Sequence, residues 1–286
     1  MKYRKEFLLL ILFILNLNGL YSQHSDSSSH FLSSTGFSEY NIGVQDKVNR
    51  LYQLNSYDDA VSLAQQYVDE AIITNDSIQI ANMLLLLGIM QKNKGDYNNA
   101  FETLLNSYAI FKSTDNQIGT ALAMDHLGTI FRYQGSQQKS LEYHTKAYEI
   151  FNKGKYTFGL INGLNNLGII NRQLGNEKKA LKYHKQALTL AIEKKSNNIS
   201  SIYISLGTYY WYKGVTDSAL FYYKSALNIP PINLPLKERH CAALNNIGNV
   251  YRSRLKFDSA LYYYDLAIKE SRLYQTRDLE SVNLKN

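Results

Sequence analysis

The sequence predicts an all-α solenoid built from antiparallel helix hairpins, and three of its features carry that prediction. Gly88, Gly128, Gly168, Gly207 and Gly248 recur at spacings of 40, 40, 39 and 41 residues, each directly after Leu87, Leu127, Leu167, Leu206 or Ile247. Seven residues on comes a second glycine, at Gly95, Gly135, Gly175 and Gly214, with Leu255 as the exception. Small residues then return twice in each unit, at Ala100, Ser140, Ala180, Ala219 and Ala260 and again at Ser107, Ala147, Ala187, Ala226 and Ala267.

Each unit resolves into two helices. Leu84, Met124, Leu164, Tyr203 and Leu244 stand four residues before the first glycine. With the Leu or Ile and the glycine itself they make an i, i+3, i+4 stripe, which is the apolar face of a first helix. The second glycine interrupts that pattern, and Asp96, Ser136 and Asn176 follow it as N-cap types before a second stripe begins. Polar clusters at Asn75–Ser77, Thr114–Asn116 and Ser196–Asn198 separate one hairpin from the next, while Pro230 and Pro231 end a second helix. The glycines and alanines mark places where two helices approach too closely for a larger side chain. The chain has 24 tyrosines, and they cluster on the second helices, as at Tyr222, Tyr223 and Tyr262 to Tyr264, where some rings can pack while hydroxyls reach water.

At the N-terminus, residues 1–22 read as a secretory signal: Lys2, Arg4 and Lys5 precede an apolar run from Phe7 to Leu15, with Gly19 and Ser22 behind it and cleavage before Gln23. That run is short of the roughly 20 residues that span a bilayer core, so a retained membrane anchor is the lesser alternative. Residues 23–40 form a Ser-rich flexible leader. Tyr57 and Ala60 lie 40 residues before Tyr97 and Ala100, which makes 41–76 a divergent first hairpin with Val48 where the glycine belongs. Five repeats occupy 77–278. Leu284 falls 40 after Leu244, so 279–286 reads as the start of a further, incomplete repeat, whose open end calls for more chain or for a covering partner.

Composition narrows the function. The chain of 286 residues carries 31 basic and 24 acidic residues, a net +7 that falls to +5 once the signal takes away Lys2, Arg4, Lys5 and Glu6. Such a mild excess, in an exported protein, is not a nucleic-acid footprint, although it favours acidic partners. One cysteine, Cys241, permits no internal disulfide. No Gly-x-x-x-x-Gly-Lys-Ser/Thr, His-Glu-x-x-His, Gly-x-Ser-x-Gly or Cys-x-x-Cys motif occurs, and no apolar stretch after Ser22 reaches spanning length. The repeat accounts for nearly every apolar residue without leaving a catalytic domain, so no enzyme, cofactor or metal site is expected. His144 and His184 share one slot in successive units, which Tyr223 and Tyr264 take elsewhere, and they read as packing residues. Lys178, Lys179, Lys182 and Lys185 read as a solvated outer face.

The Leu-Gly pair, the second glycine seven residues on and the two small residues resemble the tetratricopeptide repeat over about 78–278. The forty-residue period and the motif at Asn166–Gly168, repeated with Ile at Asn246–Gly248, look like the longer repeats of kinesin light chains and bacterial peptide-sensing regulators. The resemblance implies a right-handed superhelix, and it implies that one line of each first helix faces an inner groove. Positions three before and four after the first glycine are seven apart and so lie on one line. Four after gives Lys92, Arg132, Arg172, Trp211 and Arg252; three before gives Leu85, Asp125, Asn165, Ile204 and Asn245. Lys92, Asp125, Arg132, Asn165, Arg172, Trp211, Asn245 and Arg252 are therefore the candidate groove: amides for a peptide backbone, cations for its acidic groups, the indole for an apolar side chain. The expected function is an exported scaffold that binds a protein or peptide. The alternative is the extracytoplasmic sensor portion of a larger membrane-anchored regulator.

Overall fold

The computed structural model describes residues 39–54, 56–231 and 234–283, with side chains from 43 to 273 except 53, 55 and 232–235. The signal at 1–22 and most of the leader at 23–40 lie outside the described residues. The chain divides into compact units 1–45 and 46–286, and the second holds the array.

Helix is the regular structure throughout the described residues. In chain order the helices are α1 (Glu39–Gln53), α2 (Tyr57–Thr74), α3 (Ser77–Lys94), α4 (Tyr97–Ser113), α5 (Gln117–Tyr133), α6 (Gln137–Gly154), α7 (Thr157–Gln173), α8 (Glu177–Glu193), α9 (Ile199–Tyr212), α10 (Thr216–Leu227), α11 (Leu234–Ser253) and α12 (Phe257–Asn283). The α10 helix stops ahead of Pro230 and Pro231, as a residue without an N–H dictates. Residues 279–283 differ from the expected start of a new first helix: α12 runs on through Asn283 without a break. No glycine or proline lies between Ala267 and Asn283 to end it.

Each turn is set by local chemistry. Gly95, Gly135, Gly175 and Gly214 have positive φ, the left-handed conformation that closes a helix C-terminus. Leu255 adopts the same conformation at φ 57° without glycine's freedom. Asp76 and Asn116 cap the following helices through side-chain oxygens, accepting from Ile78 and Gln79 and from Gly119 respectively.

From α2 onward each helix packs against the next. The first helices also touch one another directly, α3 with α5, α5 with α7, α7 with α9 and α9 with α11, whereas among the described residues no comparable packing joins the second helices. The first helices therefore form the inner layer, and the array curves toward them as a right-handed superhelix.

Within a hairpin the crossing is closed by one contact. The residue sixteen positions after each first glycine lies over it: Leu104 on Gly88, His144 on Gly128, His184 on Gly168, Tyr223 on Gly207 and Tyr264 on Gly248. A Cβ on any of these glycines would sit only 2.5 to 3.0 Å from that side chain. In the first hairpin Val48 is followed sixteen residues on by Ala64, and both are fully buried, so bulk and space have changed places.

Between hairpins the same exchange recurs. Phe111 packs on Gly119 and Phe151 on Gly159, where an added Cβ would meet the ring. Forty residues on, buried Ala191 shares a core cluster with Ile199. Along the turn edge, the start of one second helix is stapled to the end of the next first helix: Lys94 to Asp58, Tyr97 stacked on Tyr133 at 4.9 Å, Lys213 to Glu177 at 2.6 Å, and Arg254 to Asp217 at 2.5 Å.

The Phe–Gly contact predicts its own repair. Gly119→Ile alone overpacks the Phe111 site and should lower stability by the ~1–3 kcal/mol typical of an inserted side chain. Adding Phe111→Ala reproduces the Ala191–Ile199 arrangement, so chemical denaturation of the four variants in a double-mutant cycle should show a favourable coupling of ~1–3 kcal/mol. Additive effects would show that these two side chains do not share one space.

Candidate functional site

The sequence-predicted column falls on the inner layer but is split by burial. Lys92, Arg132, Arg172 and Trp211 are half-buried, Asn245 and Arg252 are exposed, and Asp125 and Asn165 are buried at 9% and 6% exposure. The last two do not line an open groove as expected. Their side chains turn to the second helix of their own hairpin, where His144 Nδ1 donates to Asp125 Oδ1 at 2.7 Å and His184 Nδ1 to Asn165 Oδ1 at 3.1 Å. Leu85, at the same position of the first clear unit, is buried too.

Asp125 is the centre of a polar knot. Asn166 reaches it from the next hairpin and donates to both carboxylate oxygens at 3.1 Å. Burial alone would push the Asp125 carboxyl up, but the charge and hydrogen bond of His144, with His126 and the Asn166 amide, outweigh it and hold the group below its ordinary value. His126 itself is pushed down to about 4 by burial and by the nearby Lys92 charge, against the pull of Asp125. Lys92 is lowered to about 8, first by burial and further by Arg132, with Asp125 opposing. A lysine of that kind gives up its proton more readily than its solvated counterparts.

The arginines differ. Arg132 lies over the Tyr133 ring with its Cζ 4.3 Å from the centroid, and Arg172 over the Tyr212 ring at 4.6 Å. Stacking on a ring face leaves the N–H edge of a guanidinium available for carboxylate or amide oxygens. Around Arg172 opens a depression lined by Gln137, Gln173, Glu177, Tyr209, Tyr212 and Lys213. Trp211 packs beside the core cluster formed by Leu220, Tyr223, Ile247 and Val250, so only part of its indole faces out. Sequence reasoning missed Asn166 as a cross-hairpin bond, Asn198 donating to Asn162 at 2.8 Å, and Tyr212 as the platform for Arg172. The Asn-Leu-Gly motif was the available signal for the first.

His184 makes the site's stability pH-dependent. It is fully buried on Gly168, its Nε2 has no hydrogen-bond partner in the protein, and burial, followed by the Arg172 charge, lowers it from 6.5 to about 3. The unfolded chain takes up a proton near pH 6.5 that the folded chain refuses until about pH 3, so this contribution is whole above 6.5 and is lost as pH falls from there. The slope is up to ~1.4 kcal/mol per pH unit for one proton. His184→Leu together with Asn165→Leu copies Leu104 over Gly88 with Leu85 beside it and leaves no buried amide without its donor. Denaturation between pH 7.5 and 4 should show this double variant at least as stable as the parent at the upper end, with a shallower decline. An unchanged slope would mean that His184 titrates alike in both states.

The sequence profile of the tetratricopeptide repeat family matches residues 79–153 and 159–231, slightly more than half of the chain. Among solved structures, BtubC (BKLC) from P. vanneervenii is similar with a TM-score of 0.60 at 19% identity, over 76% of this chain and 91% of that one. A Rap protein complexed with Competence and Sporulation Factor aligns with a TM-score of 0.61 at 15% identity, over 83% of this chain and 78% of that one. The Rap conjugation gene regulator of the plasmid pLS20, in complex with the Phr* peptide, gives 0.61 at 22%, over 70% of this chain and 57% of its own. At these identities the likeness is one of fold. No protein of curated function matches the chain in sequence. Among the described residues no helix is long and apolar enough to cross a membrane. The profile match and the tandem hairpins agree: the chain belongs to the tetratricopeptide repeat family.

Proposed function

We propose that the chain is a non-enzymatic scaffold whose inner face holds an acidic peptide or an acidic segment of a protein. The observation that carries this reading is the row of cations in phase with the repeat, Arg132, Arg172 and Arg252, on helices that form the inner layer, two of them held over tyrosine rings. A guanidinium held over a ring is restrained in position and loses less freedom when its fork meets a carboxylate. Asp125 and Asn165, engaged with His144 and His184, set the floor of that row rather than contacting the ligand. Two of the similar solved structures are themselves peptide or factor complexes, which supports a peptide-sized occupant here.

Export is the companion proposal and rests on the sequence of residues 1–22. A sensor portion of a larger regulator is the form such a scaffold takes if the chain is one part of a membrane-anchored protein. Sequencing the mature N-terminus from the extracytoplasmic fraction checks export, with Gln23 expected as the first residue.

The binding reading is tested with an array of synthetic peptides of acidic, neutral and basic composition. The parent should retain a subset of acidic peptides, and the triple variant Arg132→Glu, Arg172→Glu, Arg252→Glu should lose them by about tenfold or more, equivalent to ~1.4 kcal/mol. Lys178→Glu, Lys182→Glu, Lys185→Glu changes net charge equally at exposed positions of α8 and should change affinity little. Equal loss in both triple variants would reduce the effect to general attraction and remove the arginines as the site.

A further inference from the structure

Tyr52 and Tyr57 flank the turn between α1 and α2, and both hydroxyls donate to one carboxylate, Tyr52 to Glu238 Oε2 and Tyr57 to Glu238 Oε1, each at 3.4 Å. Glu238 stands 186 and 181 residues further along the chain, on α11. Between the two partners lie the four hairpins α3–α4, α5–α6, α7–α8 and α9–α10. A nearest-neighbour array has no reason to bring its first turn to its sixth hairpin unless the superhelix has completed about one revolution.

Both sides of the contact are braced. The tyrosine rings lie 5.4 Å apart, so their hydroxyls are presented as a pair. On the other side, His240 bonds Glu270 of α12 at 2.5 Å and the Leu227 carbonyl of α10 at 3.3 Å, which ties this part of α11 to its own hairpin and to the one before. Half-buried Arg239 neighbours Glu238 and Tyr52 and balances the carboxylate's charge. Burial, reinforced by that carboxylate, keeps both tyrosine hydroxyls protonated and therefore donors.

We infer that Tyr52, Tyr57 and Glu238 form a clasp that closes one turn of the superhelix into a split ring and restricts lateral access to its inner face. The consequence for access rests on the proposed groove; the closure itself does not. At 3.4 Å the two bonds are longer than the usual range for a hydroxyl donor, and Glu238 remains exposed to competing water, so the clasp holds the ring shut without locking it. A segment bound inside must thread through the open ends of the ring or associate while the clasp is parted. The clasp lies away from Arg132, Arg172 and Arg252, so opening it changes the rate at which the site is reached and leaves its chemistry in place.

The closure is read from distances in the full chain. In a Cys241→Ser background, spin labels at Asp59→Cys and Ala242→Cys, both exposed positions beside the clasp, should report one narrow distance. Adding Tyr52→Phe and Tyr57→Phe, which keep the rings and remove only the hydroxyls, should lengthen and broaden it while far-ultraviolet circular dichroism stays the same. Glu238→Ala provides a second opening variant that removes the other partner. Unchanged distances in both would overturn the clasp. The tightest peptide from the array then serves as probe: its association rate should rise about threefold or more in the opened variants. Longer distances with the same association rate in all forms would overturn the control of access. Failure of every peptide to bind the parent would remove the groove reading, and the spin-label distances would still decide the closure.

Discussion

The array depends on the distance at which the two helices of a hairpin cross. A glycine on the first helix lets the second helix come close enough for one of its side chains to lie flat on the backbone, and in five successive hairpins that side chain is sixteen residues further on. The contact decides more than packing. Where the covering residue is polar, its outer end must find a partner: the Tyr223 hydroxyl donates to Thr208 and the Tyr264 hydroxyl to Asn249, directly after the glycine, while His144 and His184 turn to Asp125 and Asn165, three before it. A steric requirement of the hairpin thereby fixes which polar groups of the inner layer are spoken for and which stay open to a ligand.

The period of the fold was legible because a crossing this tight tolerates almost nothing but glycine, and the recurrence of one residue type is visible in a linear sequence. Compensation was harder to see. Val48 registered as a departure from the pattern, whereas Ala64, sixteen residues later, shows the departure to be repaired by removing bulk from the other side. The same holds between hairpins, where Phe111 with Gly119 becomes Ala191 next to Ile199. Each member of such a pair is unremarkable alone, and only the packed structure says that the two volumes are summed. Leu255 is not repaired by a change of volume elsewhere. It holds the left-handed turn at 75% exposure, where the conformation costs ~1–2 kcal/mol relative to right-handed backbone, set against the capping bonds from Leu255 N to the Arg252 carbonyl and from Lys256 N to the Tyr251 carbonyl.

The site was legible in outline for a similar reason and illegible in detail for another. Helical spacing put Lys92, Arg132, Arg172 and Arg252 on one line of the inner helices, because position along a helix follows from counting. Burial does not follow from counting. Whether Asp125 faces water or a histidine depends on a residue nineteen positions later in another helix, and whether Arg172 has a platform depends on Tyr212, forty residues away in the next hairpin. The amide at Asn166 adds a third element, since it joins the Asp125 knot from the following unit and makes one hairpin's polar floor conditional on its neighbour's position.

That conditionality bears on how the array can move. If stability were only a sum of neighbouring interfaces, the superhelix would flex softly, because a small rotation at each interface accumulates along the chain while costing little at any one of them. The Tyr52–Glu238 and Tyr57–Glu238 bonds oppose that accumulated displacement and nothing else, since they join elements that no single interface relates. Two long hydrogen bonds are individually worth on the order of 1 kcal/mol or less. Their leverage comes from position: the intervening hairpins, held at their crossings by glycine and stapled along the turn edge by Lys94 with Asp58, Lys213 with Glu177 and Arg254 with Asp217, deliver the two ends to within reach of each other. A weak contact placed across a stiff but cumulative spring selects one pitch out of a continuum. The pitch in turn sets how wide the gap between the first turn and the sixth hairpin stands, and hence how readily a segment reaches the inner face from the side.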